Sequence, residues 1–251
     1  MADATVDLGA TNHFGLPSGF NTQSSSTSVK SNNVQALDEV GDVACQRNVG
    51  EQTDYSQSAS YCGSDFVGAL AAFLTEFGNF QTVGVVTGLT ITMSAGNYVT
   101  VDVSGHNHTK NAHEAGITLG YADFSDFFPH EATEPFAAWD GFGVPDFGVT
   151  LGVNASPASA TVTLSMTHVD TNDENGDHLV GKNITPRAEL SMSFEGLPTS
   201  QTAAALETDF GAMTSAMLVP LVDSVDDGDA NGGFDTMAFA AHANADLVTA
   251  Q

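Results

Sequence analysis

His106 and His108 flank Asn107, with His113 and Glu114 just beyond them. Two imidazoles at i and i+2 of a strand project to one face. With a third ligand from a neighbouring strand they suit a transition metal. The triplet His106-Asn107-His108 also invites a nuclease reading. That chemistry, however, spreads its residues over a ββα-metal unit and works with cationic contacts that this chain lacks. A second cluster, Asp227-Gly228-Asp229-Ala230-Asn231-Gly232, follows the opening of a D-x-D-x-N-G calcium loop, with Asp235 placed as a ninth-position ligand. The twelfth position, where a bidentate Glu belongs, is Ala238. A complete loop of that type is therefore excluded, which leaves a solvated acidic turn or a weak calcium site at Asp227, Asp229, Asn231 and Asp235. No G-x-S-x-G elbow, C-x-x-C pair, P-loop or dinucleotide fingerprint occurs, so no catalytic residue and no resident cofactor are expected.

The charge balance narrows the partners. The chain has 251 residues, 31 Asp and Glu against 5 Lys and Arg, and a formal charge of −26. An acid share of about 12% is ordinary, whereas a basic share of about 2% is far below the norm. The cations, Lys30, Arg47, Lys110, Lys182 and Arg187, are too few and too scattered to form a phosphate-neutralising stripe. Direct nucleic-acid binding, polybasic membrane attachment and Arg-based recognition of acidic substrates are all disfavoured. Salt adaptation would raise the acid fraction, which is not raised here. The opening MADATVDLGATNHFG lacks a basic n-region and an apolar h-region, so no secretory signal is expected, and no stretch approaches the ~20 apolar residues of a membrane span.

The elements that must position any site read as mainly β. The composition supplies 25 Gly and 16 Phe with abundant Val, Thr and Ser. Residues 1–33 are polar and Ser/Gly-rich and read as an N-terminal arm. Alternation from Val34 to Ala44, followed by the polar run to Tyr61, predicts a long, mostly solvated hairpin over 34–62. Phe66, Ala69, Leu70, Phe73, Leu74 and Phe77 share one helical face, predicting a packing helix over 64–77 with Ser64 as N-cap and Gly78-Asn79 as the stop. Strands are expected at Val83 to Met93, Tyr98 to Val103, Ala115 to Tyr121 and Phe147 to Val153, with Gly96-Asn97 as a hairpin turn. The proline-punctuated stretch Asp123 to Pro145 reads as a packed surface loop anchored by Trp139. A further pair, Ala160 to Val169 and Pro186 to Phe194, places apolar residues on one parity and hydroxyls on the other, so one face packs and the other is wet. Beyond Pro198, a helix running through Met217, an acidic loop at Asp223 to Asp235 and an alanine-rich tail complete the chain.

The expected fold is thus a β-sandwich or barrel with a flanking α-helix, a long protruding hairpin and extended arms. Residues 1–33 form the arm, 34–198 the core and 199–251 the C-terminal helix, loop and tail. Cys45 and Cys62 lie symmetrically about Val49 to Asp54, so a turn there would face the thiols across a hairpin; otherwise both act as small reduced hydrophobes.

Two resemblances bear on these residues. His106, His108 and Glu114 echo the first half of the cupin metal motif, though Glu114 lies one or two residues too far along and no second motif supplies another His. The alternative function this implies is a metal-dependent, cupin-like β-sandwich enzyme; the calcium-loop residues suggest instead a calcium-stabilised adhesion or carbohydrate-binding module. The organisation of Val34 to Gly196 more broadly resembles the tail tube proteins of tailed bacteriophages. The matching features are the polar hairpin from Ala36 to Tyr61, the helix directly after it, and the paired strands Thr161 to Val169 and Arg187 to Phe194 closing on Glu195-Gly196. That resemblance implies a non-enzymatic virion protein assembled in the host cytoplasm. Its partners would be copies of itself in stacked hexameric rings and other tail proteins, with DNA a passenger through an acidic lumen and no membrane involved.

Overall fold

In the computed structural model, the described residues are 12–75, 85–108, 139–145, 155–176, 178–196, 218–228 and 235–244. They form β1 (Phe20–Leu37), β2 (Val43–Tyr61), α1 (Phe66–Thr75), β3 (Val85–Ser94), β4 (Thr100–His108), β5 (Ala155–Asn172), β6 (His178–Gly196), β7 (Leu218–Gly228) and β8 (Asp235–Asn244). The fold is mainly β, with one short helix among the described residues. All eight strands join one antiparallel sheet in the order β1-β2-β4-β3-β5-β6-β8-β7.

The alternation expected for the central strands is carried through the sheet. Tyr55, Ala59 and Tyr61 of β2, Val101 and Val103 of β4 with Val99 just before it, Leu89, Ile91 and Met93 of β3, and Val162 and Leu164 of β5 are all buried on one face. Leu190, Met192 and Phe194 of β6 continue that face. Helix α1 covers it, burying Phe66, Val67, Leu70 and Phe73. Burying each such side chain contributes roughly 1.5–3 kcal/mol. The cap of α1 differs by one residue from expectation: Asp65, not Ser64, accepts the Gly68 N–H through Oδ1 at 2.8 Å. The Tyr61 hydroxyl donates to the Asp65 carbonyl at 2.7 Å and ties the cap to the end of β2. Trp139 stacks edge-on against Phe66 with ring centroids 5.2 Å apart and donates Nε1–H to the Phe142 carbonyl at 2.8 Å, the anchoring role its loop suggested.

Several expectations are corrected. Residues 20–33, read as part of an arm, are most of strand β1, and the hairpin runs from Phe20 to Tyr61. Its turn lies at Asp38 to Asp42, where Asp38 Oδ1 accepts from the Val40 and Asp42 amides and Gly41 adopts φ +91°. A turn there puts Cys45 opposite Ala36 and leaves Cys62 just past the end of the same strand, so the two exposed thiols cannot meet. The acidic stretch from Asp223 is strand β7 up to Gly228, and the alanine-rich tail supplies β8. Strands β5 and β6 reach past the expected Val169 and Pro186 to a tight tip, where the Asp173 carboxylate accepts from the Asn175 amide and Gly176 has φ +81°. The strands expected at 115–121 and 147–153 and the helix expected after Pro198 lie outside the described residues.

Before β1, residues 12–16 dock on the buried face of β2. Phe14 and Leu16 are buried, and Gln57, itself buried, donates to Asn12 Oδ1 at 3.0 Å and Thr22 Oγ1 at 2.9 Å while accepting from the Phe14 amide at 3.4 Å. Each of these bonds satisfies a polar group that would otherwise be stranded in the core. At Gly19 the backbone has φ +102°, and a Cβ there would sit 2.6 Å from the Tyr61 ring, so only glycine lets the chain turn into β1 over that aromatic.

Candidate functional site: one hydroxyl-covered sheet face between two unequal edges

Because side chains alternate along a strand, burying one face assigns the other parity to solvent. Here that second parity is dominated by serine and threonine. One row of register partners runs Ser58, Asp102, Thr90, Thr163, Glu189, His242 across β2, β4, β3, β5, β6 and β8. The next runs Ser60, Thr100, Thr92, Thr161, Ser191, Ala240 across the same strands. Adjacent strands bring the hydroxyls together: Ser26 Oγ and Ser56 Oγ are 2.7 Å apart, as are Ser159 Oγ and Ser193 Oγ. Two shallow depressions of about 260 Å³ lie on this face, one beside Gly88 between Ser56 and Ser104, the other between Thr163 and Asp223.

The charges on this face are largely coupled. Lys30 pairs with Asp54. Arg187 Nε lies 2.8 Å from Glu189 Oε1. His242 Nδ1 lies 2.8 and 2.9 Å from the two oxygens of Asp223. The last pair exists because β7 carries one extra residue between Val222 and Ser224, which pair with the successive residues Ala241 and Ala240; this bulge turns Asp223 toward His242. Burial alone pushes the Asp54 carboxyl up. Hydrogen bonds from Lys30 and Gln52, with the charges of Lys30 and His106, outweigh it and hold the group below the ordinary carboxylate range. Asp102, exposed in the middle of the face, has no ion-pair partner among the described residues.

The sequence-derived candidates fall at the margins. His106 is buried at the far end of β4, opposite Asp54 and Val85, and His108 closes that strand opposite Gln52. The carboxylate nearest His106 in register is thus already engaged by Lys30 and Gln52. His113 and Glu114 lie outside the described residues. Among the described residues, no three His, Cys, Asp or Glu side chains gather to hold a metal. Asp227 sits near the end of β7, opposite Met237, and Asp235 opens β8, opposite Gly196. Asp229 and Asn231 fall in the connection between them, outside the described residues. Asp54, Glu189, Asp223 and His242 belong to no motif in the sequence that marks them as a site. Only the hydroxyl parity of Thr161 to Thr167 signalled the face.

The two sheet edges differ. Strand β1 is 18 residues long, carries Lys30 as its single charge and has no proline. Among the described residues nothing pairs with its outer side. Strand β7, the other edge, holds Pro220, Asp223, Asp226 and Asp227 within 11 residues. Toward its turn, the hairpin exposes Val34, Leu37, Val40 and Val43, Val40 to 76%. The hairpin is braced on its other side: Arg47 Nη1 donates to Asn175 Oδ1 at 3.5 Å, and the Cβ of Val49 lies 3.4 Å from where a Cβ on Gly176 would be.

Compared with known proteins, the chain matches no family model and no curated sequence. No described helix is long and apolar enough to cross a membrane.

Proposed function

We propose that this chain is a non-catalytic, self-assembling structural subunit, most specifically a virion tail tube subunit that forms stacked hexameric rings around a bore through which DNA passes. The observation that carries this reading is strand β1. A long edge with a single charged side chain and no proline is a template for pairing with another chain, and soluble proteins blunt such edges with charge, proline or a covering element. Strand β7 is blunted in that way and β1 is not. An edge of this length, continued by a hairpin whose apolar side chains face solvent, is economical only if neighbouring copies cover it.

The scarcity of Lys and Arg fits a conduit, since a wall without free cations gives DNA phosphates nothing to hold. Other tail proteins would cap such rings at either end. The test is electron microscopy of the purified protein at rising concentration. Rings or tubes are expected, and a protein that stays monomeric at high concentration overturns the reading. Val34→Glu with Leu37→Glu, both at exposed positions, is expected to abolish assembly while leaving the melting temperature of the subunit unchanged.

A further inference from the structure

We propose that the end of the sheet carrying Tyr98 and Phe142 is a binding site for a quaternary ammonium group, with the two rings as walls and Asp140 as the counter-charge. This goes beyond the assembly reading and does not depend on it. Tyr98 and Phe142 stand about half exposed, at 52% and 48%, although both are large aromatics. Their ring planes are 74° apart and the centroids 5.1 Å apart, so they meet as adjoining walls of an open corner. A cation seated there lies within about 6 Å of both centroids, where the negative ring faces attract it.

The fold holds this corner rigidly. A β-bridge joins Tyr98 to Phe142. The Val99 amide donates to the Gly141 carbonyl at 2.7 Å, and the Gly143 amide to the Asn97 carbonyl at 2.8 Å. Behind the rings, Trp139 donates Nε1–H to the Phe142 carbonyl. Gly141, at φ +83°, packs so closely that a Cβ would lie 2.9 Å from Val99 Cγ1, which presses the backbone to the core while Phe142 stays at the surface. Rings braced in this way have lost their freedom before a ligand arrives, and that lowers the cost of binding.

Charge selects the ligand. The chain carries −26, and that field concentrates cations at its surface. Its own described cations are placed elsewhere: Lys30 pairs with Asp54, Arg187 with Glu189, Arg47 bonds Asn175, and Lys182 lies opposite Val169. Asp140 stands beside the corner, its Oδ1 accepting the Phe142 amide at 3.0 Å. Asn97 donates to Ser94 Oγ at 3.2 Å. With both engaged in their own turns, the corner offers a cation charge and ring faces more than hydrogen bonds. A primary ammonium gives up water for N–H groups that find no new acceptor, whereas a trimethylated one has no N–H to satisfy. A free choline-type molecule and a trimethylated lysine on another protein present that same group.

The test titrates the purified full chain with tetramethylammonium, choline, trimethyllysine, butylammonium, and dimethylbutanol, the neutral isostere of choline. Binding is read by saturation-transfer NMR on the methyl protons and located by the emission of Trp139, the single tryptophan, which backs Phe142. Saturable binding of the quaternary ions is expected, with butylammonium weaker and the alcohol silent; whichever of choline and trimethyllysine binds tighter names the source. Tyr98→Leu and Phe142→Leu should each weaken tetramethylammonium binding by about two- to fivefold. Asp140→Asn keeps an acceptor for the Phe142 amide and removes only the charge, and it should weaken binding comparably. Tyr98→Phe keeps the ring and should not. Melting temperatures show which variants are folded, and the ligand series on the wild type needs no variant. The inference is overturned if no quaternary ion binds, or if the neutral alcohol binds as well as choline, as at an apolar patch that a second copy covers. It is equally overturned if butylammonium binds more tightly, or if Asp140→Asn and the two leucine variants leave the affinity unchanged. A protein that binds quaternary ions in this pattern but forms no rings removes the tube reading and leaves this one standing.

Discussion

Edge strand β1 runs for 18 residues with one charged side chain, whereas β7, at the opposite edge of the same sheet, sets one proline and three aspartates into 11 residues. Both strands are antiparallel ribbons on one sheet and face the same aggregation hazard. Proline removes a backbone donor, and adjacent carboxylates repel a second copy of themselves. Strand β7 uses both devices. Strand β1 has three register shifts within its ladder and a lysine tied to Asp54, but no proline and no other charged residue. The contrast separates an edge kept from pairing from an edge left available for it.

The largest effect expected from breaking this contrast is the loss of rings in Val34→Glu/Leu37→Glu, read by microscopy and by sedimentation. Stripping the guards from the other edge should produce the converse. Pro220→Val with Asp226→Thr and Asp227→Thr is expected to give concentration-dependent, irregular association in light scattering, and unchanged particle size would show that β7 is blunted by something else.

A smaller effect concerns the ion pair that joins β1 to β2. The Asp54 carboxyl is held below its unfolded value of about 3.9. The unfolded chain therefore binds the proton more readily. The stability this group contributes is fully present above the unfolded value and is lost as pH falls through the lower, folded one. Asp54→Asn should remove that acid limb from a plot of melting temperature against pH, at a cost of about 1 kcal/mol at neutral pH. The smallest effect is expected at Asp223. It is about half exposed, so Asp223→Asn should cost no more than about 0.5 kcal/mol by chemical denaturation.

The parts of the fold legible in the sequence were those where burial imposes a period. Leu89, Ile91 and Met93, or Val162 and Leu164, alternate because one side of each strand meets the core. Phe66, Leu70 and Phe73 repeat at helical spacing for the same reason. Strand β1 escaped because beyond Thr22 it is exposed at nearly every position, so nothing forces its residues to alternate, and a run such as Ser24 to Ser28 reads like a linker. Strand β8 escaped because its inward residues include Ala241 and its outward ones Ala238 and Ala240, which blurs the contrast that marks a period. The candidate site was harder still. Asp54, Glu189 and His242 lie far apart in the chain, and they share a face only because the sheet places β4 and β3 between β2 and β5, and β8 beside β6. A hydroxyl parity is visible strand by strand, but strand order is not.

Cys45 on β2 and Cys62 just past its end, with the hairpin turn to one side of both, have a use of their own. Seventeen residues of extended chain separate them by roughly 55 Å, near the middle of the range over which resonance energy transfer between two dyes is most sensitive. Both thiols are exposed and neither needs to be engineered. The hairpin thus carries its own ruler, and labelled subunits would report whether it stays straight or bends when the free edge finds its neighbour.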